Sequence, residues 1–167
     1  METIEYSGEE LDLFQAAENW KSYWSARVRE YLQGDVLEVG AGNGNNTALL
    51  HGLSRGTSWT CLEPDPGLAK VLGERIADRD IRVVGGTTSG MADAGPYDTV
   101  LYIDVLEHIE DDRAEVRRAL DLLRPGGHLV VLSPAHQFLY TPFDKSIGHF
   151  RRYSLGELKA LAPAGCE

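Results

Sequence analysis

The stretch "DVLEVGAGNGNNT", residues 35–47, is the strongest indication of the fold in this sequence. It begins as a short apolar strand that carries an acid at Glu38, and it continues into three glycines at Gly40, Gly42 and Gly44. Glycine adopts positive φ without a steric penalty and lets the backbone approach a ligand closely, so this spacing predicts a ligand-binding turn after a strand. The acid just before the glycines indicates that the ligand does not consist of phosphate groups alone.

The spacing of the glycines separates two classes of ligand. A dinucleotide fingerprint reads G-x-G-x-x-G, and from Gly40 it requires a glycine where the chain has Asn45. The carboxylate of Glu38 suits an ammonium or sulfonium group better than a pyrophosphate. Glu63 ends the next apolar run, nineteen residues after Gly44, and an acid at about this distance binds ribose hydroxyls in doubly wound sheets. A simple tight turn and a solvated Glu63 are the alternative interpretations.

Length, charge and cysteine content limit the class of protein. The chain has 167 residues, which predicts one domain, and its net charge of −10 predicts no nucleic-acid partner. Cys61 and Cys166 form no C-x-x-C pair, so we expect neither a disulfide framework nor a metal site. The acidic start and the lack of a long apolar run predict no signal peptide and no membrane contact, hence a soluble cytoplasmic protein.

Apolar periodicity predicts an α/β fold. A helix is expected over residues 9–32, where apolar residues recur at steps of three and four. Apolar runs then alternate with helical segments, which predicts a doubly wound parallel sheet, Rossmann-like, in the order 3-2-1-4-5. The predicted strands are residues 36–39, 59–62, 81–84, 99–103 and 128–132, and the helices between them are residues 45–53, 67–77 and 112–123.

Three local signals set helix boundaries. The motif "EPDPG" predicts that Asp65 caps a helix whose first residue is Pro66. The motif "RPGG" after Leu123 predicts the end of a helix and a turn into a strand. The motif "SLGE", which begins at Ser154, predicts a capping box that opens the last helix.

Four motifs give the chain a resemblance to a known family. They are "VLEVGAGNG", "CLEPD", "YDTVLYIDVLEHIEDD" and "LLRPGGHLVVLSP", and they lie within residues 35–133. In order and spacing they resemble class I S-adenosylmethionine-dependent methyltransferases, especially the small-molecule enzymes of methyltransferase type 11/12 in which the fourth strand runs into "LEHI". The resemblance implies S-adenosylmethionine as cofactor, S-adenosylhomocysteine as product and a small-molecule acceptor.

The resemblance also implies roles for individual residues. The first acid and the glycine loop would face the methionine part of the cofactor, Glu63 would hold its ribose, and the turn after the third strand would flank the adenine. Ile103 and Asp104 would line the floor near the methyl group, and His108 would orient the site. The alternative interpretations are core packing for Ile103, a turn cap for Asp104 and packing on the sheet edge for His108. The implied cofactor-binding residues are Glu38, Gly40, Ala41, Gly42, Asn43, Gly44, Glu63, Pro64, Gly86, Thr87, Thr88, Ile103, Asp104 and His108.

The segment after the fifth strand, "PAHQFLYTPFDKSIGHFRRYS", predicts the acceptor site. It is a long connection at the carboxyl ends of the strands, where open sheets bind ligands. His136 is the candidate catalytic base, since a hydroxyl acceptor must lose a proton. Arg151 and Arg152 could bind an acidic acceptor, or pair with Asp144 and hold the loop. The candidate acceptor-binding residues are Tyr140, His149, Arg151 and Arg152.

The end of the sequence departs from the family. Members usually continue after the helix near residues 154–162 with two more strands, whereas this sequence ends at Glu167. We therefore expect a single S-adenosylmethionine-binding methyltransferase domain over residues 1–167 that lacks the C-terminal β-hairpin, either because it is truncated or because the natural protein is minimal. Its fifth strand would be an apolar edge, which predicts self-association. Two other functions stay open: a cofactor-binding module without turnover that needs a partner or the missing C-terminal part, and a nicotinamide-dependent oxidoreductase.

Overall fold

The computed structural model describes residues 17–92, 94–163 and 166. Its strands are β1 Gln33–Val39, β2 Arg55–Glu63, β3 Arg82–Gly85, β4 Tyr97–Ile103 and β5 Leu123–Leu132. They form a five-stranded sheet in the order β3-β2-β1-β4-β5, and every neighbouring pair is parallel. The strand order reverses between β1 and β4, which is the switch point where such sheets bind ligands. The predicted doubly wound α/β fold is confirmed.

Helices cover both faces of this sheet. One hydrophobic cluster joins Trp24, Leu50 and Leu72 to the sheet, and a second cluster joins Ala119 to Tyr102 of β4. Because side chains alternate along a strand, successive residues of each strand enter opposite clusters. The helices are α1 Glu18–Val28, α2 Asn45–Leu53, α3 Pro66–Arg75, α4 Asp112–Asp121, α5 Pro142–Ser146 and α6 Leu155–Leu161. Of the first predicted helix, residues 9–16 lie outside the described part of the chain.

Two of the three helix-boundary predictions are confirmed. The Asp65 carboxylate accepts from the Leu68 N–H at 2.8 Å and caps α3, and Ser154 forms the capping box that opens α6. The third is wrong, because α4 ends at Asp121 and "RPGG" belongs to β5. The register between β4 and β5 shifts at this place, and Arg124 pairs there with two aspartates of the neighbouring strands.

The strand β5 lies at the end of the sheet, with one neighbour, β4, among the described residues. The segment that follows it is partly ordered by α5 and returns to the sheet, where Ala135 and Tyr153 form an isolated parallel bridge. Helix α6 covers one face of β5 through a cluster that includes Tyr153, Leu129 and Leu158. In the described part of the chain, no helix has the length and apolar character that a bilayer crossing requires.

Candidate functional site

The glycine loop, residues 40–44, follows β1 at the carboxyl edge of the sheet. Its glycines have positive φ, which is 66° at Gly40, 57° at Gly42 and 81° at Gly44. A Cβ added at Gly40 would lie 2.7 Å from Val105 Cγ2, and one added at Gly44 would lie 2.8 Å from Leu72 Cδ1. Both the backbone conformation and the available space therefore require glycine in this loop.

Glu63 ends β2 and holds the glycine loop from the side. Its side chain is buried; Oε2 accepts from the Gly42 N–H at 2.7 Å, and Oε1 accepts from the Asp65 N–H at 2.9 Å. Burial raises the pKa of Glu63, and the two backbone donors oppose that rise. A carboxylate has about four acceptor positions, so about two remain for a ligand.

Glu38 lies beneath the glycine loop, inside the core. Its side chain is 2% exposed, and its Oε2 accepts from Trp59 Nε1 at 3.0 Å. Burial raises the pKa of Glu38 to about 7, although hydrogen bonds from Thr47, Trp59 and Cys61 favour the ionised form. The alternation of side chains along β1 places this carboxylate on the face of the sheet that α2 covers, and its implied contact with the cofactor stays a prediction.

The other predicted residues of the loop region have small or inward-facing side chains. Ala41 and Asn43 are 8% and 7% exposed, and Pro64 is half-buried after β2. The Asn43 Oδ1 accepts from the Asn45 N–H at 3.2 Å, which closes a local turn at the start of α2. These residues shape the loop through the backbone more than through free polar groups.

The turn after β3 contains Gly86, Thr87 and Thr88, the residues implied to flank the adenine. The Gly86 N–H donates to the Glu63 carbonyl at 3.0 Å, which brings this turn beside the end of β2. Thr87 is exposed, and its hydroxyl pairs with that of Ser89 at 2.8 Å. Thr88 is buried, and its hydroxyl donates to Glu115 of α4 at 2.9 Å. The hydroxyl of Thr88 therefore bonds within the interior, so an adenine contact at this residue would be made by its backbone.

The ends of β4 and β5 carry unusual backbone. Asp104 and His136, with φ of 54° and 67°, are the non-glycine residues of the described chain that have positive φ, and each follows one of these strands. Such conformations cost on the order of 1–3 kcal/mol and gather at functional sites. The Asp104 residue reaches solvent, yet desolvation by the surrounding protein raises its pKa to about 6. Ile103 precedes it and packs in the core.

Asp144 organises the segment after β5. It is 1% exposed, and it accepts from Arg152 at 2.7 and 3.0 Å, from the Thr141 N–H at 2.8 Å and from the Thr141 hydroxyl at 3.0 Å, and it lies 3.1 Å from His149 Nδ1. Burial alone would raise the pKa of Asp144, but the donors of Arg152, Thr141 and His149 hold it well below its usual range. The prediction that one arginine pairs with Asp144 matches Arg152.

The other predicted acceptor residues also have partners within the chain. Arg151 pairs with Asp112 at 2.5 Å and donates to the Glu110 carbonyl at 2.7 Å, so its guanidinium is not free for an acidic acceptor. The Tyr140 hydroxyl donates to the His149 carbonyl at 2.6 Å. His136 is exposed, and its ring lies 5.3 Å from that of Phe138. Of these side chains, His136 alone keeps open access to solvent.

Sequence reasoning missed Glu107. This residue follows β4 in the turn Leu106–His108, is fully buried, and accepts from the Ser133 hydroxyl at 2.7 Å. Burial, followed by the nearby charge of Asp104, raises the pKa of Glu107 to about 8. The rings of His108 and His149 lie edge to face with centroids 4.6 Å apart. The adjacent acid and histidine in "LEHI" were a signal, but their partner His149 is too distant in sequence to be recognised.

The comparisons with known proteins agree with this geometry. The sequence profile of a family described as "Methyltransferase domain" matches residues 37–129, more than half of the chain. The chain therefore belongs to that methyltransferase domain family. Ubiquinone biosynthesis O-methyltransferase from Xanthomonas axonopodis pv. citri (strain 306) is 35% identical over 112 residues. That match covers 64% of this chain and 45% of the relative, so the chain spans less than half of the relative's length.

Solved structures with the same fold are more distant in sequence. A putative sarcosine dimethylglycine methyltransferase from Galdieria sulphuraria superposes with a TM-score of 0.70 at 21% identity, covering 95% of this chain and 65% of that one. A complex of DhpI with S-adenosylhomocysteine (SAH) has a TM-score of 0.68 at 22% identity, with 92% and 80% covered. At such identities the likeness shows a shared fold.

Proposed function

We propose that this chain, as a single domain, binds S-adenosylmethionine over the glycine loop and transfers its methyl group to a small-molecule acceptor. The observation that carries the proposal is the hydrogen bond between Glu63 and Gly42. It joins an acid at the end of β2 to a glycine turn after β1, and it leaves the carboxylate with acceptor positions to spare. Membership of a methyltransferase domain family supports the same site.

The residues at this edge fit the cofactor. Glu63 can accept from both ribose hydroxyls, and the glycine loop offers backbone without Cβ atoms to the methionine part. Gly86 and Thr87 are placed to flank the adenine, since the Gly86 N–H already bonds the end of β2. Asp104, beyond the switch point, lies on the side where the methyl group would face the acceptor. Glu38 acts indirectly, by holding the core beneath the loop.

The chemistry sets the task of the remaining residues. When bound, S-adenosylmethionine supplies a methyl group whose bond to sulfur breaks as a bond to the acceptor oxygen forms, which leaves SAH and the acceptor's proton. His136 is the proposed base for that proton, because its ring is exposed at the end of β5. The segment held by Asp144 would form one wall of the acceptor site.

Oxygen is the proposed acceptor atom. The curated relatives from Xanthomonas and from Azorhizobium caulinodans are both named ubiquinone biosynthesis O-methyltransferase, and they are 35% and 33% identical over the matched regions. The match to the second covers 38% of its length. O-methylation of a hydroxyl on a small molecule is the part of that activity that we carry over to this chain.

Labelled turnover tests the proposal. The chain is incubated with methyl-tritiated S-adenosylmethionine and parallel panels of phenols, catechols, amines and carboxylic acids. We expect label in the hydroxyl panels, loss of that label in Glu63→Ala, and its retention in the control Glu74→Ala, which removes an exposed acid on α3. If the folded chain binds SAH but transfers no label, the proposed methyl transfer is refuted and the proposed cofactor site is retained.

The second candidate is a module that binds S-adenosylmethionine without turnover and needs further residues or a partner. The observation that favours it is the limited coverage of the curated relatives, 45% and 38% of their lengths. Self-association through the edge of β5 remains part of this proposal, since β4 is the strand that pairs with β5 among the described residues. Sedimentation at tens of micromolar tests it, and a clean monomer would contradict it.

A further inference from the structure

Glu107, His108 and His149 bring three metal-ligating atoms together beside the end of β4. One carboxylate oxygen and one nitrogen from each ring lie within 4.8 Å of one another. The three residues come from two distant parts of the chain, the turn Leu106–His108 and the segment after α5. The Glu107 and His149 side chains are 0% and 8% exposed. The fold thus buries an acid and a histidine face to face on the proposed acceptor side of the sheet.

One atom of this cluster lacks a partner. Glu107 Oε1 is, within the described part of the chain, the buried side-chain oxygen or nitrogen that makes no hydrogen bond. The other oxygen of the same carboxylate accepts from Ser133 at 2.7 Å. His149 Nε2 lies 3.9 Å from Oε1, which is too long for a hydrogen bond. Because burial of an unsatisfied polar atom is costly, a positive ligand between these two atoms is favoured.

The surrounding residues hold His149 in the orientation that a metal ligand needs. Its Nδ1 lies 3.1 Å from Asp144 Oδ1, which turns Nε2 toward Glu107. A carboxylate on the far nitrogen is the usual support of a metal-bound histidine. The backbone is fixed as well: the His149 N–H donates to the Asp144 carbonyl at 2.9 Å, the Tyr140 hydroxyl donates to the His149 carbonyl, and the Phe150 N–H donates to the Glu107 carbonyl at 2.8 Å.

We propose that Glu107, His108 and His149 bind a divalent transition-metal ion. One carboxylate and two imidazoles form a donor set typical of Zn²⁺, Mn²⁺ or Fe²⁺ in sites that keep a coordination position open, whereas Mg²⁺ and Ca²⁺ prefer oxygen alone. Donor atoms lie about 2.0–2.2 Å from such an ion, so at tetrahedral or neighbouring octahedral positions they are about 3.0–3.5 Å apart, and atoms now up to 4.8 Å apart must move closer together. Side-chain rotation can supply that movement. Asp144 and Ser133 bond the far atoms of His149 and Glu107, which leaves His149 Nε2 and Glu107 Oε1 facing the ion.

The open position suits an acceptor oxygen. A hydroxyl bound to a divalent ion loses its proton more readily than a free one, which is what O-methylation requires. This use of the ion rests on the proposed methyl transfer, whereas the binding of the ion does not. The sequence predicted no metal site, because the three ligands do not form the C-x-x-C spacing that marks one.

Metal binding is measured directly. The chain carries Cys166→Ser, which removes an exposed thiol that also binds Zn²⁺, and it is treated with chelator and then desalted. It is titrated with Zn²⁺ and Mn²⁺ by calorimetry, and with Co²⁺ by visible absorption. The test variants are Glu107→Gln and His149→Gln, which keep side-chain size. The control is His128→Gln, an exposed histidine on β5. Circular dichroism checks that each variant is folded.

The proposal expects about one equivalent of ion in the chain and in the control, and affinity more than about tenfold weaker in both test variants. Binding that is absent from the folded chain, or that survives both substitutions unchanged, overturns it. Bound metal without methyl transfer would refute the proposed function alone. Methyl transfer by a chelated chain that takes up no ion would refute the metal site alone.

Discussion

Replacement of Glu63 by alanine is the perturbation that the site predicts most sharply. The substitution removes a carboxylate that accepts from the Gly42 and Asp65 N–H groups at 2.7 and 2.9 Å. It also removes the proposed acceptor of the ribose hydroxyls. A hydrogen bond to a charged group contributes about 1.5–3 kcal/mol, so we expect the Kd for SAH to rise about 10- to 150-fold. The glycine loop should lose stability as well, since its link to β2 is cut.

Isothermal titration calorimetry with SAH measures this change in affinity, and thermal unfolding shows whether the variant is folded at the assay temperature. The matched control is Glu74→Ala, which removes an exposed acid of α3 and should bind SAH like the unchanged chain. Unchanged affinity in folded Glu63→Ala would show that the Glu63 carboxylate does not bind the ribose.

Three further predictions concern the loop, the core and the acceptor segment. Gly42→Val should abolish SAH binding while far-UV circular dichroism stays near that of the unchanged chain, because φ at Gly42 is 57° and a branched side chain blocks the approach to the loop; retained binding would mean that the loop is only a turn. Burial raises the pKa of Glu38 from 4.5 to about 7. Between these two values the folded chain holds a proton that the unfolded chain releases. Proton binding to Glu38 therefore stabilises the folded chain fully below about pH 4, and this stabilisation is lost as the pH rises through 7. With chelator present, Glu38→Gln should therefore flatten the fall in unfolding free energy between about pH 5 and 8 by roughly 2–3 kcal/mol in urea titrations, and an unchanged slope would contradict the assignment. Asp144→Asn removes the charged partner of Arg152 and should cost about 3 kcal/mol, with faster hydrogen exchange in residues 141–150 and unchanged exchange in β1; equal exchange in both proteins would show that Asp144 does not hold the segment.

Much of the fold could be predicted from the sequence, because each strand carries a run of apolar residues that packs against helices on both faces. Helix α2 has the predicted bounds. Gly44 at positive φ directly precedes it, which fixes Asn45 as its first residue. Strand starts were less predictable: β1 begins at Gln33 and β2 at Arg55, where polar residues pair through the backbone and give no apolar signal.

The site could be predicted from the sequence only for residues whose position at the end of a strand is enough to place them there. Glu63 lies at the predicted strand end, beside the glycine loop. The resemblance implies that Glu38 faces the cofactor, but the sequence did not show that its carboxylate is buried and bonded to Trp59. Glu107 and His149 could not be paired from the sequence, because their contact depends on how the segment after β5 folds back around Asp144.

A crystal structure of the chain with SAH tests most directly whether the glycine loop and Glu63 form a cofactor site. We expect the ligand over Gly42, with both ribose hydroxyls within hydrogen-bond distance of the Glu63 carboxylate. A ligand bound elsewhere, or ribose hydroxyls that make no contact with Glu63, would contradict it.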